Sequence, residues 1–163
     1  MRVVPMTTAF AAEIVTWRYP APYDLYDMAG EDPGFFASPA SGFFALTEGD
    51  ELIGFRSFGP DGQVPGGSYD SSALDTGGGL RPDLTGKGLG RAAISTGLEF
   101  GRREFAPEAF RVTVASFNER ALRVVRSLGF RAIGSFLAAA DGRSFEILVR
   151  PESAESPPQI SKS

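Results

Sequence analysis

The chain has 163 residues, of which 42% are hydrophobic and 22% charged, and a formal net charge of -4. These values are typical of one globular domain. The acidic balance argues against nucleic-acid binding, and no apolar run of about 18 residues is present to span a membrane. Cysteine and histidine are both absent, which excludes disulfide scaffolds, thiol nucleophiles, imidazole bases and the usual zinc sites, so we expect no metal.

The N-terminal segment predicts a strand, a helix and an aromatic loop. MRVVPM predicts a short strand, and because it lacks the features of a secretory signal we expect a cytoplasmic protein. Phe10, Ile14 and Trp17 then recur at helical spacing behind a cap at Thr7 or Thr8, which predicts an amphipathic first helix. The segment RYPAPYDLYDMAGEDPGFFASPASG is rich in proline, glycine, aspartate and aromatic residues, and it predicts a short helix near residues 23–28 followed by a loop.

The middle of the chain predicts three strands and a long helix. FFALTEGDELIGFRSFGP is an expected hairpin that turns at Glu48-Gly49-Asp50. SALDTGGGL is an expected strand that Arg81-Pro82 ends. After Gly88 the apolar spacing changes to that of a helix, which Pro107 stops.

The C-terminal part predicts a buried strand, a helix and a second hairpin. AFRVTVASF has the β-branched and apolar composition of a strand, and Asn118 and Gly129 bracket a helix as cap and stop. Asp141-Gly142 is a two-residue turn signal. These elements form a mixed α/β domain over residues 1–150 in the order β-α-α-β-β-β-α-β-α-β-β, and the polar, proline-rich residues 151–163 predict an unstructured tail.

The glycine-rich stretch GGGLRPDLTGKGLGRAAI, from Gly77 to Ile94, predicts an anion site. A strand that leads through a glycine loop into a helix aims free backbone N–H groups and the helix dipole at a ligand, and phosphate is the ligand expected there. The spacing does not fit a P-loop, because Arg81 stands where its first glycine belongs. A dinucleotide-binding pattern fits weakly, since FRVTVASFN ends without the acidic residue that it needs. Gly77 and Gly78 taken alone also fit a bulge or twist point.

The stretch LRPDLTGKGLGRAAI resembles the cofactor-binding motif of the GNAT N-acetyltransferase superfamily, Arg/Gln-x-x-Gly-x-Gly/Ala. Gly88 and Gly90 match this motif, whereas Thr85 stands at the Arg/Gln position. NERALRVVRSLGF is similar to a later helix of the family, and four of its residues fall in register with that motif: Asn118, Ala121, Gly129 and Phe130. The two stretches and the strand order together cover residues 80–149.

The resemblance implies a fold, an activity and a donor. The expected fold is an α/β domain with a mostly antiparallel central sheet of six to seven strands, splayed at the fourth and fifth strands and flanked by about four helices. The expected activity is direct transfer of an acetyl group from acetyl-CoA to a primary amine in a ternary complex, without an acyl-enzyme. The implied cofactor-binding residues are Leu80, Arg81, Thr85, Gly86, Lys87, Gly88, Leu89, Gly90, Arg91 and Asn118. Lys87 and Arg91 also fit an ordinary solvated face, and Asn118 also fits a simple helix cap.

The catalytic groups implied by the resemblance are incomplete. Many members place a tyrosine acid where this chain has Val125, which has no proton to donate. A tyrosine from the loop after the first helix, water, or no acid at all are the alternatives, and we prefer water because a thiol is a tolerable leaving group. Asp75, on the fourth strand, is the predicted base, acting directly or through water, with a surface or turn carboxylate as the alternative.

The aromatic loop is the predicted acceptor wall. Aromatic rings and carboxylates suit a cationic amine, and the predicted substrate-binding residues are Trp17, Tyr19, Tyr23 and Tyr26. These rings also fit a structural role at the edge of the core. The sequence therefore favours an N-acetyltransferase of a small-molecule, peptide or protein amine, with a possible homodimer. The alternative is a non-catalytic acyl-CoA sensor that has lost its acid.

Overall fold

The computed structural model describes residues 1–152 and confirms the predicted order of elements. Within this range the strands are β1 (Arg2–Pro5), β2 (Phe43–Glu48), β3 (Glu51–Phe58), β4 (Leu74–Leu80), β5 (Ala109–Ala115), β6 (Arg131–Leu137) and β7 (Ser144–Pro151). The α-helices are α1 (Thr8–Ile14), α2 (Pro33–Phe36), α3 (Gly90–Phe105) and α4 (Glu119–Ser127).

Side-chain caps start two of these helices at the predicted residues. The hydroxyl of Thr7 accepts from the backbone nitrogen of Phe10 at 3.0 Å, and the side-chain oxygen of Asn118 accepts from that of Ala121 at 3.1 Å. Gly129 ends the last helix with a φ of 98°, a conformation that favours glycine. Capping signals are local in sequence, so both caps could be predicted without knowledge of the tertiary structure.

The aromatic loop carries more structure than its sequence indicated. A 3₁₀ helix over Tyr23–Tyr26 matches the short helix that was expected. The four-residue α2 was not expected, because glycine and proline dominate its sequence. Asp32 caps it through the backbone nitrogen of Gly34, and Pro33 occupies its first turn, where a missing N–H costs nothing.

The seven strands form one sheet in the order β1-β2-β3-β4-β5-β7-β6. All neighbours are antiparallel except β4 and β5, which run parallel and pair only at Leu74 with Phe110 and at Asp75 with Arg111. From Thr76 onward the two strands separate. The predicted splay between the fourth and fifth strands is therefore confirmed.

Helices cover both faces of the sheet. On one face α1 and α2 pack over Phe55 of β3, with Ile14 and Phe36 almost fully buried. On the other face α3 and α4 pack over Phe58 and Phe110. Successive residues of a strand point to opposite faces, so β3 contributes to both cores and fixes which helices lie beside the splay.

The described part of the chain ends just beyond the sheet. Pro151 is the last residue of β7, and Glu152 accepts from Arg150 at 2.8 Å. Two residues of the tail predicted over 151–163, Pro151 and Glu152, thus have a defined place in the structure, and residues 153–163 lie outside the described residues. Between Met1 and Glu152, no helix has both the length and the apolar character that crossing a membrane requires.

Candidate functional site

The open edge of β4 is built from glycine. Gly78 is exposed, whereas Asp75 and Thr76, where β5 is still close, are buried. A Cβ atom on Gly78 would collide with the carbonyl oxygen of Phe55 on β3. Glycine is therefore required here by the close approach of the two backbones.

The glycine loop leads into a helix start that faces open space. Gly86 and Gly88 have φ values of 73° and 81°, which side-chain-bearing residues adopt only with strain. A Cβ atom on Gly88 or Gly90 would meet nothing within 4 Å. Leu89 precedes α3 without a side-chain cap hydrogen bond, so the first N–H groups of this 16-residue helix are free for an anion.

Two basic residues of the motif occupy different surroundings. Lys87 is exposed beside the glycine loop. Arg91 donates to the hydroxyl of Ser127 and so ties the start of α3 to the end of α4. Lys87 fits a phosphate contact in its present position, whereas Arg91 would first have to leave Ser127.

Arg120 is a cation at the loop that the sequence did not point to. Its guanidinium lies 4.5 Å from the ring centroid of Tyr23. A Cβ atom on Gly86 would lie 2.9 Å from its Nη1. Only the packing of α4 against the loop brings Arg120 here, so no local pattern could have revealed it.

Arg81 and Thr85 use their side chains within the loop's own structure. Arg81 forms ion pairs with Glu51 at 2.8 Å and Asp83 at 2.7 Å. The hydroxyl of Thr85 donates to the carbonyl oxygen of Pro82 at 2.8 Å. Their backbone N–H groups donate to the carbonyl oxygens of Ile53 and Pro82 at 2.8 and 3.3 Å. Both residues therefore hold the turn in place, and their roles toward a cofactor stay predictions.

Tyr19 connects the aromatic loop to the end of β4. Its hydroxyl donates to the carbonyl oxygen of Leu80 at 2.6 Å. Burial, reinforced by the carboxylate of Asp27, raises the pKa of Tyr19. This hydroxyl therefore stays protonated and holds one wall of the splay, on the face that α1 covers.

Tyr26 and Asn118 meet at the start of α4. The amide nitrogen of Asn118 donates to the hydroxyl of Tyr26 at 3.1 Å, while its oxygen caps α4. Burial raises the pKa of Tyr26, and the hydrogen bond from Asn118 opposes that shift in part. Asn118 is thus a helix cap, and its role toward a cofactor stays a prediction.

The other two aromatic residues of the predicted acceptor wall pack against neighbouring rings. Trp17 is only 7% exposed and lies 6.3 Å, centroid to centroid, from Phe55. Tyr23 meets Phe117 edge-on at 5.4 Å. Trp17 has the surroundings of a core residue but lies beyond α1, which ends at Ile14, so its predicted place on the first helix is wrong. Tyr19, Tyr23 and Tyr26 are partly exposed.

Asp75 lies at the closed end of the splay and is 4% exposed, so the surface-carboxylate alternative is wrong. Its two oxygens accept from Nε and Nη2 of Arg111 at 2.7 and 2.8 Å, and Gln63 donates to it at 2.9 Å. Asp75 in turn raises the pKa of Arg111. Its predicted role as a base must act from within this ion pair, directly or through water.

Val125 lies in the core between α4 and the sheet. It is 2% exposed and belongs to the cluster that includes Phe110 and Leu122. The position is therefore apolar and closed, and α4 offers no proton donor there.

Comparisons with known proteins agree with this geometry. A model described as the acetyltransferase (GNAT) family matches residues 11–130. An acetyltransferase (GNAT family) structure from Bacillus anthracis has a TM-score of 0.70 at 16% identity, covering 91% of this chain and 93% of that one. No curated protein matches the sequence significantly.

Two further solved structures share the fold. The yncA putative acetyltransferase from Salmonella typhimurium, solved with its cofactor acetyl-CoA, has a TM-score of 0.69 at 17% identity and covers 99% of both chains. A mutant of the spermidine N-acetyltransferase SpeG from Vibrio cholerae has a TM-score of 0.67 at 16% identity, covering 93% of this chain and 95% of that one.

Proposed function

The chain belongs to the acetyltransferase (GNAT) family, and from that premise we propose that it transfers an acetyl group from acetyl-CoA to a primary amine in a ternary complex. The acceptor class is a small-molecule amine or a peptide or protein amine. One observation carries the proposal: the uncapped start of α3 faces open space behind the glycine loop, directly beside the free edge of β4.

The proposed donor site uses backbone groups first. N–H groups from Gly88 to Arg91 suit the pyrophosphate, because a helix start favours a negative charge. Lys87 and Arg120 add nearby positive charge. Backbone groups near Gly79, Leu80 and Arg81 suit the amides of the pantetheine arm, since β5 does not compete for this edge. The N–H of Arg81 is already bonded to the carbonyl oxygen of Ile53, and the carbonyl oxygen of Leu80 to the hydroxyl of Tyr19.

The proposed chemistry requires little of the side chains. The bound thioester supplies an activated acetyl group, and a neutral amine attacks its carbonyl carbon as the C–S bond breaks. On the chain's side, Asp75 is the predicted acceptor of the amine's proton through water, and water is the preferred donor to the thiolate. Tyr19, Tyr23 and Tyr26 are the partly exposed rings available to position the amine.

Calorimetric titration with acetyl-CoA and with CoA tests the donor site. We expect one saturable site for each ligand in the wild-type protein. Gly88→Glu should abolish binding of both, because it puts a carboxylate where phosphate must lie. Gly49→Glu is the matched control: Gly49 also has a positive φ of 59° and open space, but it lies in the β2–β3 turn. Wild-type affinity in Gly88→Glu would contradict the assignment of the loop.

A non-catalytic acyl-CoA sensor is the second candidate, and the buried Val125 favours it. Both candidates bind acetyl-CoA, so binding alone does not distinguish them. A screen of primary amines that follows the release of free thiol does. Turnover with any amine supports the enzyme, whereas tight donor binding without turnover across the screen supports the sensor.

Two further properties are part of the proposal. We expect a cytoplasmic protein, measured by fractionation of the producing cells. We also expect a homodimer, measured by sedimentation velocity. Neither property affects the donor site, which residues of one chain form on their own.

A further inference from the structure

Arg56 is a buried cation without a hydrogen-bond or ion-pair partner among residues 1–152. It lies on β3, is 5% exposed, and its Nε has no hydrogen-bond partner between Met1 and Glu152. No hydrogen bond or ion pair is found for the rest of its guanidinium within the same range. By contrast Arg111, which is 3% exposed, is held by Asp75. A buried charge is costly unless it is paired, so an unpaired arginine inside the domain indicates a ligand.

Two glycines make room for this side chain. A Cβ atom on Gly78 would lie 2.7 Å from Nη1 of Arg56, and one on Gly97 would lie 2.8 Å from its Nε. Gly78 belongs to β4 and Gly97 to α3. We call the space between Gly78 and Gly97 that holds this side chain the slot. Glycine inside a helix costs about 1 kcal/mol relative to alanine, so Gly97 keeps the slot open at the expense of helix stability.

The slot lies at the edge of the splay, on the donor side. Arg56 is paired with the exposed Gly78 across β3 and β4, and its Nη1 lies beside the position that a Cβ atom of Gly78 would take. Beyond Gly78 the free edge of β4 begins, because β5 pairs only up to Asp75. Gly97 follows Gly90 by seven residues, which places Arg56 about 10 Å along α3 from the phosphate loop.

We propose that Arg56 donates hydrogen bonds to a carbonyl oxygen of the bound acyl donor, in the thioester or in the neighbouring pantetheine amide. This inference rests on the proposed function and deepens it. A donor held by its pyrophosphate at Gly88 and running along the free edge of β4 passes the slot with its thioester end. If the thioester carbonyl is the partner, Arg56 also stabilises the negative charge that the oxygen gains when the amine attacks.

Arg56 keeps the charge that this role needs. Burial lowers its pKa to about 10, so the guanidinium remains protonated at neutral pH. The guanidinium approaches from the face that α3 covers, whereas Tyr19 approaches β4 from the face that α1 covers. Arg56 is therefore placed to contact the donor rather than the amine.

The test combines stability with donor affinity in Arg56→Met and Arg56→Lys. A ligand-binding role predicts that Arg56→Met keeps or raises the Tm of the free protein, because an unpaired buried charge is removed. The same variant should weaken acetyl-CoA binding about tenfold to a hundredfold, the effect of a lost hydrogen bond to a charged group. Arg56→Lys keeps the charge and should recover part of that affinity. Arg111→Met is the control for a buried arginine with a structural partner, and its Tm should fall.

Titration with CoA locates the contact. If Arg56 binds the thioester carbonyl, Arg56→Met weakens acetyl-CoA binding and leaves CoA binding unchanged. If it binds a pantetheine amide, both affinities fall together, and both results support the inference. Wild-type affinity for both ligands in Arg56→Met, or a fall in Tm without a change in affinity, overturns it. A wild-type protein that binds neither ligand refutes the proposed function instead.

Discussion

At the residue scale, two buried arginines of the same sheet have opposite surroundings. Arg111 on β5 is neutralised by Asp75 on β4, at the point where these strands still pair. Arg56 on β3 has no partner within residues 1–152. The paired arginine fastens the closed end of the splay, and the unpaired one lies where the splay has opened.

Asp75→Asn separates a structural role from a catalytic one. Breaking a buried ion pair costs about 3 kcal/mol of unfolding free energy, which urea denaturation measures. If Asp75 also accepts the amine's proton, kcat falls in the folded variant while donor affinity is kept. The control is Asp70→Asn, since Asp70 also contacts Arg111, at 3.2 Å, but is exposed. A kcat equal to that of the wild type in folded Asp75→Asn would refute the role as a base.

Tyr26→Phe tests the tyrosine at the start of α4. Since water is the preferred acid, we expect kcat to change by less than about threefold, a small effect for general acid catalysis. The KM for the amine should rise, and stability should fall by about 1 kcal/mol because Asn118 loses its acceptor. Because the pKa of Tyr26 is raised, its hydroxyl stays protonated at neutral pH, and no titration from it should appear there. A kcat loss of a hundredfold or more would assign the acid to Tyr26.

At the element scale, the start of α3 and its buried face have different roles. Its start is left uncapped and open, which suits a ligand. Further along, its buried face approaches the sheet through Gly97 and Gly101, one turn apart. The first site faces solvent and the second faces side chains from β3 and β5, so glycine serves opposite purposes at the two ends.

Gly101→Ala measures how closely α3 packs on the sheet. The added methyl group would lie 2.7 Å from a ring carbon of Phe58 and 3.0 Å from ring carbons of Phe110. We expect a net loss of about 1–2 kcal/mol, as overpacking outweighs the gain in helix propensity. Gly90→Ala is the control, since nothing lies within 4 Å of its Cβ position. Equal thermal stability of the two variants would contradict the close approach seen here.

At the scale of the whole molecule, the sheet is nearly divided at its middle. Only two residue pairs join β4 to β5, whereas β5 pairs with β7 over seven residues. The halves are held together by α3 and α4 packing across one face. A ligand that lies along the free edge of β4 would bridge this weak line.

Acetyl-CoA should therefore stabilise the whole domain. At a donor concentration of one hundred times Kd, linkage gives about 2.7 kcal/mol. For a chain of this length that raises Tm by about 5–10 °C. Amide hydrogen exchange should slow most in residues 76–80, which have no partner strand on the side of β5, and in residues 88–92, where the first N–H groups of α3 are free. Protection spread evenly over the sheet would argue against binding at this edge.

The sequence determined the order of the elements because the signals that set it are local. The caps at Thr7 and Asn118 and the change of apolar period after Gly88 each depend on a few neighbouring residues. The two-residue turn predicted at Asp141-Gly142 is wrong in length, since residues 138–143 connect β6 to β7. The glycine loop was readable for the same reason, since a positive φ is a property of one residue. Lys87 and Arg91 were predicted from the same motif, whereas Arg120 was not, because it reaches the loop from a different helix.

Only the tertiary structure decided which polar side chains have partners. Asp75 appeared as an isolated carboxylate in a strand, yet it pairs with Arg111 thirty-six residues later. Arg56 appeared as one charge in an ordinary strand, yet its slot is made by Gly78 and Gly97 on two other elements. Pairing and burial depend on contacts between distant segments, and these form only when the sheet and α3 come together.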